Sequence, residues 1–150
     1  MCGAIAFGFY IIVMGIRLIR NSLGGIMDEI DEHILADLVE VMDNNRQDNW
    51  IDVHNLRIIK FGPDLHLDLH LTLPRYFDLI ASHQEVENFE KLMESKVAQN
   101  IEMFIHTDPC EPTSCKLCAK KDCPIRSESQ KQHIEWTKEI VRKNQKHEVV

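Results

Sequence analysis

The run Leu65-His66-Leu67-Asp68-Leu69-His70-Leu71-Thr72-Leu73 constrains the fold more than any other stretch of the chain. Leucine fills every odd position, and a polar residue fills every even one before Pro74. Strict alternation of this kind marks a strand with one face in a core. The other face carries His66, Asp68 and His70 in a row, about 7 Å apart at i, i+2 spacing. Imidazole and carboxylate are both metal-ligand types. The strand therefore turns a dry leucine face to a core and a chelating face to something else.

Its neighbours complete an α-β-β-α-β order. Ile34, Leu35, Leu38, Val39 and Met42 recur at helical spacing, which predicts a helix over about 31–45 with Asp31 as N-cap and Asn44-Asn45 as its end. Val53 to Phe61 is β-rich, and Gly62-Pro63-Asp64 is turn chemistry, so this segment and the leucine strand read as a hairpin. From about Phe77 to Ala98, Val86, Phe89, Met93 and Val97 form one helical stripe. Ile101, Met103 and Ile105 alternate again as a third strand, ended by Asp108-Pro109. The expected fold class is α+β, three strands with both helices on one face.

Both ends of the chain are different in character. Residues 1–16 carry no charge, and Arg17 and Arg20 follow at once. Taking residues 1–22 as a transmembrane helix needs Leu18 and Ile19 in the bilayer with the arginines snorkelling. A signal peptide would place its positive charge before the apolar run, and a buried core helix is the third reading. The positive-inside rule puts Arg17 and Arg20, and all that follows, on the cytoplasmic side of a cell membrane. Residues 23–30 read as a linker, loosened at Gly24-Gly25 and acidic beyond. At the other end, residues 127–150 are expected to form a last helix, capped by Ser127 or Ser129 and running to about Lys146 on a thin stripe of Ile134, Trp136, Ile140 and Val141. A net charge of −7 argues against a nucleic-acid partner.

Two ligand sets emerge. His54 starts the first strand and His70 lies toward the end of the second, so an antiparallel hairpin brings them side by side. His83 lies early in the second helix, and His106 and Asp108 leave the third strand at i, i+2. Three or four such groups at about 2 Å make a zinc site, and five could hold two ions. His33, His66, His133 and His147 lack such company and read as ordinary histidines, with His66 an accessory candidate. The second set is Cys110, Cys115, Cys118 and Cys123 in the loop 109–126. Thiols crowded into one loop favour metal in a reducing compartment over a secreted disulfide scaffold. A structural zinc, copper(I) or thiolate hand-over of metal, and unmetallated or redox-active thiols are the three readings of this loop. No HExxH-type helix or Gly-rich phosphate loop argues for an enzyme.

These motifs, in order, resemble the cytoplasmic domain of the cation diffusion facilitator family of zinc transporters. The resemblance lies in Asp52-Val53-His54-Asn55-Leu56-Arg57, Gly62-Pro63, Asp68-Leu69-His70-Leu71, Ser82-His83 and Ile105-His106-Thr107-Asp108-Pro109-Cys110. Arg17-Leu18-Ile19-Arg20-Asn21-Ser22 and the residues to Asp28 look like the end of that family's sixth transmembrane helix and its linker. The resemblance implies a ferredoxin-like, metallochaperone-like domain over 31–108 that forms a homodimer. It implies that His54, His70, His83, His106 and Asp108 are zinc ligands, with Asp108 bridging, and that zinc at the dimer junction regulates proton-coupled export of divalent metal. Asp28 matches an acidic residue of a charge lock at the membrane, whose lysine this chain lacks. Residues 1–16 hold no Asp, Glu or His, and a membrane ion path needs such groups. The expectation is the C-terminal part of a transporter, Met1 being an internal start or a fragment edge, with the other membrane helices elsewhere. A stand-alone, membrane-tethered zinc buffer or sensor is the alternative.

Overall fold

A computed structural model describes residues 2–24 and 32–148. Helix α1 spans Cys2–Gly24, α2 Glu32–Asn44, β1 Asp52–Phe61, β2 Asp64–Leu73, α3 Leu79–Lys96 and β3 Ile101–Pro109, followed by a 3-10 turn at Pro112–Lys116 and the short α4, Lys138–Val141. The order from α2 to β3 is the expected α-β-β-α-β. The sheet order is β1-β2-β3, with β1 and β2 antiparallel and β2 and β3 parallel through α3, a ferredoxin-like arrangement.

The alternating leucines set the layers. Leu65, Leu67, Leu69, Leu71 and Leu73 are all buried, and they meet Leu35, Leu38, Val39 and Met42 of α2 and Phe89 and Met93 of α3. At about 25 cal/mol per Å2, burying such side chains is the main force holding the two layers together. Trp50, just ahead of β1, packs edge-on against Phe89 with ring centroids 5.0 Å apart. Its indole N–H donates to Glu85 at 2.9 Å, and Asn49 donates to the other carboxylate oxygen at 2.8 Å. Asp78 caps α3 by accepting from the Ala81 N–H at 2.7 Å.

One irregularity in β1 matters for the site. Val53 and Leu56 are three apart, which a regular strand would turn to opposite faces. The register shifts between His54 and Arg57, and Asn55 takes a positive φ of 54°. This bulge adds one residue, so Val53 and Leu56 both enter the core while His54 stays on the open face. The Asn55 N–H, aimed away from β2, donates to the Lys143 carbonyl at 2.8 Å. The C-terminal segment thus covers the β1 edge.

That segment departs from expectation. Only Lys138–Val141 is helical, not the whole of 127–146. The backbone before it is committed elsewhere: Lys131 and Gln132 N–H donate to the Lys116 carbonyl, the Trp136 N–H donates to Asp43 at 2.9 Å, and the Ile134 carbonyl accepts from Arg46 at 2.8 Å. Trp136 and Val141 are buried in the main core, with the Arg46 guanidinium 4.3 Å over the indole. These long-range contacts outweigh helix propensity, which amounts to tenths of a kcal/mol per residue.

Helix α1 is long and apolar enough to cross a membrane, with Gly3–Arg20 as the candidate span, none of it buried against the rest of the chain. Of the linker expected over 23–30, residues 23 and 24 close α1, while 25–30, with Asp28, and the Asp31 cap lie outside the described residues.

Candidate metal centre

Each strand of the sheet delivers one histidine to the same level. His54 pairs with His70 across β1 and β2, and His70 pairs with His106 across β2 and β3. The ring centroids are 5.1 Å apart for His54 and His70 and 4.6 Å apart for His70 and His106. Asp108 follows His106 at i+2 and so shares its face. Its Oδ2 lies 3.3 Å from His54 Nε2 and 3.0 Å from His70 Nδ1, and its Oδ1 lies 3.6 Å from His106 Nε2. One carboxylate therefore touches three imidazoles from three strands.

The donor set fits a transition-metal ion. Donor atoms of His54, His70 and Asp108 all lie within 4.8 Å of one another. Tetrahedral bonds of about 2 Å hold neighbouring donors roughly 3.3 Å apart, close to the separations already present. The burial is graded: His54 is nearly inaccessible, with 5% of its side chain exposed, while His106 is 66% exposed. The set is fixed at one end and open at the other.

A further pair of residues supports His54 from behind. Its Nδ1 is buried and has only Asp52 Oδ2, at 3.5 Å, facing it. A proton on Nδ1 leaves the Nε2 lone pair aimed at the Asp108 side, the carboxylate–histidine arrangement that commonly orients metal ligands. Asp52 is held in turn by His147, whose Nδ1 is 2.7 Å from Oδ1 and whose backbone N–H donates to Oδ2 at 3.0 Å. His147 Nε2 faces the Ile140 carbonyl at 3.0 Å. Burial by itself would raise the Asp52 pKa, but the contacts from His147 and His54 reverse this and hold it below the usual carboxylate value. His147 is thus no ordinary surface histidine, and its spacing alone gave no sign of this.

His83 is not brought to the cluster of its own chain. It stands on the outer side of α3, 71% exposed, with Nε2 3.5 Å from Glu87. His66 also stays apart, pairing with Glu102 at 3.2 Å and lying between the rings of Phe61 and Phe104. Cys110, Cys115, Cys118 and Cys123 gather instead around a separate cavity.

The fold and these side chains define a small α+β domain that carries an imidazole–carboxylate cluster on its open sheet face. Residues 27–110, more than half of the chain, match the family model described as the cation efflux protein cytoplasmic domain. The chain belongs to this family and represents the C-terminal part of a cation diffusion facilitator. Among solved structures it is similar to the C-terminal domain of the magnetosome protein MamB of Desulfamplus magnetovallimortis BW-1, at 11% identity and a TM-score of 0.43, covering 49% of this chain and 89% of that one. It is also similar to the putative zinc transporter CzrB, at 22% identity and a TM-score of 0.41, covering 53% and 92%. The zinc form of CzrB matches at 23% identity and a TM-score of 0.39, covering 52% and 82%. No curated protein sequence matches the chain.

Proposed function

We propose that the chain is the zinc-sensing and dimerising cytoplasmic portion of a proton-coupled divalent-metal efflux transporter, with α1 as a membrane helix and the rest of the chain in the cytoplasm. The observation that carries this reading is Asp108 in reach of His54, His70 and His106 at once. These groups bind and do not turn over a substrate. The ion would supply a positive centre that lets three imidazoles and a carboxylate share one point. His83 belongs to the same ligand set through a second copy of the domain, which accounts for its exposure and its distance from its own cluster. Asp28 would secure the pair at the membrane.

The test is zinc-dependent association of residues 27–150, followed by analytical ultracentrifugation. The parent should shift from monomer toward dimer as zinc is added. The double substitution His70→Ala with Asp108→Ala should remove the shift, and His83→Ala should weaken it. Zinc-dependent association that survives the double substitution would overturn the assignment.

A further inference from the structure

Three of the four clustered cysteines lie beyond the stretch that matches the family, and the site they form owes nothing to the histidine row. Cys110 directly follows β3, and its N–H donates to the Leu73 carbonyl at 2.8 Å, which fixes it at the end of the sheet. Cys115 lies in the 3-10 turn, Cys118 just after it, and Cys123 beyond a lysine-rich bend. All four thiols line one cavity of about 10 Å3. That is room for a single water-sized body. None of the four is in a disulfide.

Hydrogen-bond donors face two of the four sulfurs, and a cation stands in the wall. The Arg75 N–H points at Cys110 Sγ at 3.4 Å, and the Ser127 hydroxyl points at Cys115 Sγ at 3.4 Å. Arg126 lines the same cavity and grips the loop by its carbonyls: it donates to Cys115 at 3.3 Å, to Cys118 at 3.0 Å, and to Lys120. A guanidinium with its fork spent on carbonyls still brings a full positive charge to the wall of the cavity. Four thiolates around a divalent ion leave a net charge of −2, and such a cation offsets it.

We propose that Cys110, Cys115, Cys118 and Cys123 bind one zinc ion as a closed tetrathiolate, a structural site distinct from the histidine–aspartate cluster. Four sulfurs complete the tetrahedron and leave no open position for exchange or catalysis. Coordination asks for rotation about Cα–Cβ, since no three of the sulfurs yet lie within 4.8 Å of one another. The four protons leave as the thiols become thiolates. The consequence is mechanical. The site ties the end of β3, two residues past Asp108, to the loop that receives the C-terminal segment through the Lys116 carbonyl.

The experiment uses the full chain in detergent, carrying His70→Ala and Asp108→Ala so that the histidine cluster is disabled. Purified in the presence of zinc and dialysed, it should retain one zinc per chain, and its four loop thiols should resist alkylation until a strong chelator is added. Cobalt(II) in place of zinc should give thiolate-to-cobalt charge-transfer absorption and the intense visible bands of a tetrahedral site. Adding Cys118→Ser with Cys123→Ser should abolish both. Should that variant fail to fold, the cobalt spectrum of the cysteine-intact chain decides alone. Retention of copper alone, a cobalt spectrum without thiolate bands, or thiols that alkylate freely in the zinc-loaded chain would each overturn the proposal. A failure here leaves the reading of the histidine cluster untouched, because that cluster is already disabled in the chain under test.

Discussion

His147 Nδ1 lies 2.7 Å from Asp52 Oδ1, and the backbone N–H of the same histidine reaches the other carboxylate oxygen at 3.0 Å. The two residues are 95 positions apart in the chain. Asp52 faces His54, and His54 faces Asp108, so the C-terminal segment bears on the candidate centre through one carboxylate. Substituting His147→Ala removes the two contacts its ring makes, with Asp52 Oδ1 and with the Ile140 carbonyl, and leaves Asp52 with one fewer partner. Zinc affinity at the histidine cluster should fall, but by less than the roughly 10- to 100-fold expected for losing Asp52, the direct outer partner of His54. Isothermal titration with zinc on a chain carrying Cys118→Ser and Cys123→Ser isolates that cluster.

Asp52→Asn tests the same link from the other side. The amide keeps the shape but presents an N–H where His54 or His147 needs an acceptor. Stability should drop by about 1–3 kcal/mol, the cost of a buried polar group left without its partner. Urea unfolding of the metal-free chain measures it, and a loss as large in a His147→Ala chain as in the parent would show that the two residues do not act together.

Zinc should raise the thermal midpoint of residues 27–150. A ligand selective for the folded state adds about 2.7 kcal/mol when its free concentration is 100 times its Kd. With Asp108→Ala the carboxylate common to three imidazoles is gone, and the part of the increase due to this cluster should vanish. Differential scanning calorimetry with and without zinc reads the difference.

The bulge makes its own prediction. Asn55 has φ at 54°, a region that suits glycine and asparagine and penalises β-branched residues. Asn55→Gly should be tolerated, whereas Asn55→Val should cost about 1–2 kcal/mol. Because the bulge keeps His54 on the open face, the valine variant should also bind zinc more weakly. Equal stability for the two variants in urea unfolding would sink this account.

Leu69 and His70 are adjacent but face opposite layers, so their substitutions should separate. Leu69 is fully buried, and Leu69→Ala should cost about 2–5 kcal/mol. His70 has 28% of its side chain exposed; His70→Ala should cost little stability in the absence of metal and most of the zinc response. Urea midpoints with and without zinc distinguish the two.

The legible parts of the sequence were those whose signal is local. Period-2 leucines and Gly62-Pro63-Asp64 gave the hairpin, and the hairpin placed His54 beside His70. The i, i+2 step from His106 to Asp108 put both on one face. The bulge was visible in principle, since Val53 and Leu56 break the alternation that Leu65 to Leu73 keep. His147 could not be found this way, because its partner lies almost the whole domain away and neither residue belongs to a periodic pattern. Helical spacing overextends the last helix for a related reason. Ile134, Trp136, Ile140 and Val141 suit helical spacing, but Trp136 is drawn into the core and its N–H goes to Asp43. Helical spacing could not tell that His83 is displayed on the outer side of its own helix, away from the histidine row.

The histidine row runs across the strands, not along one of them, and this gives the sheet a gauge of its own alignment. His54, His70 and His106 stand abreast only while both ladders hold their present register. A slip of two residues in either outer strand would carry one imidazole about 7 Å away. Fraying at one margin would therefore cost an ion held there a ligand, and occupancy of the row would report how well the three strands remain aligned.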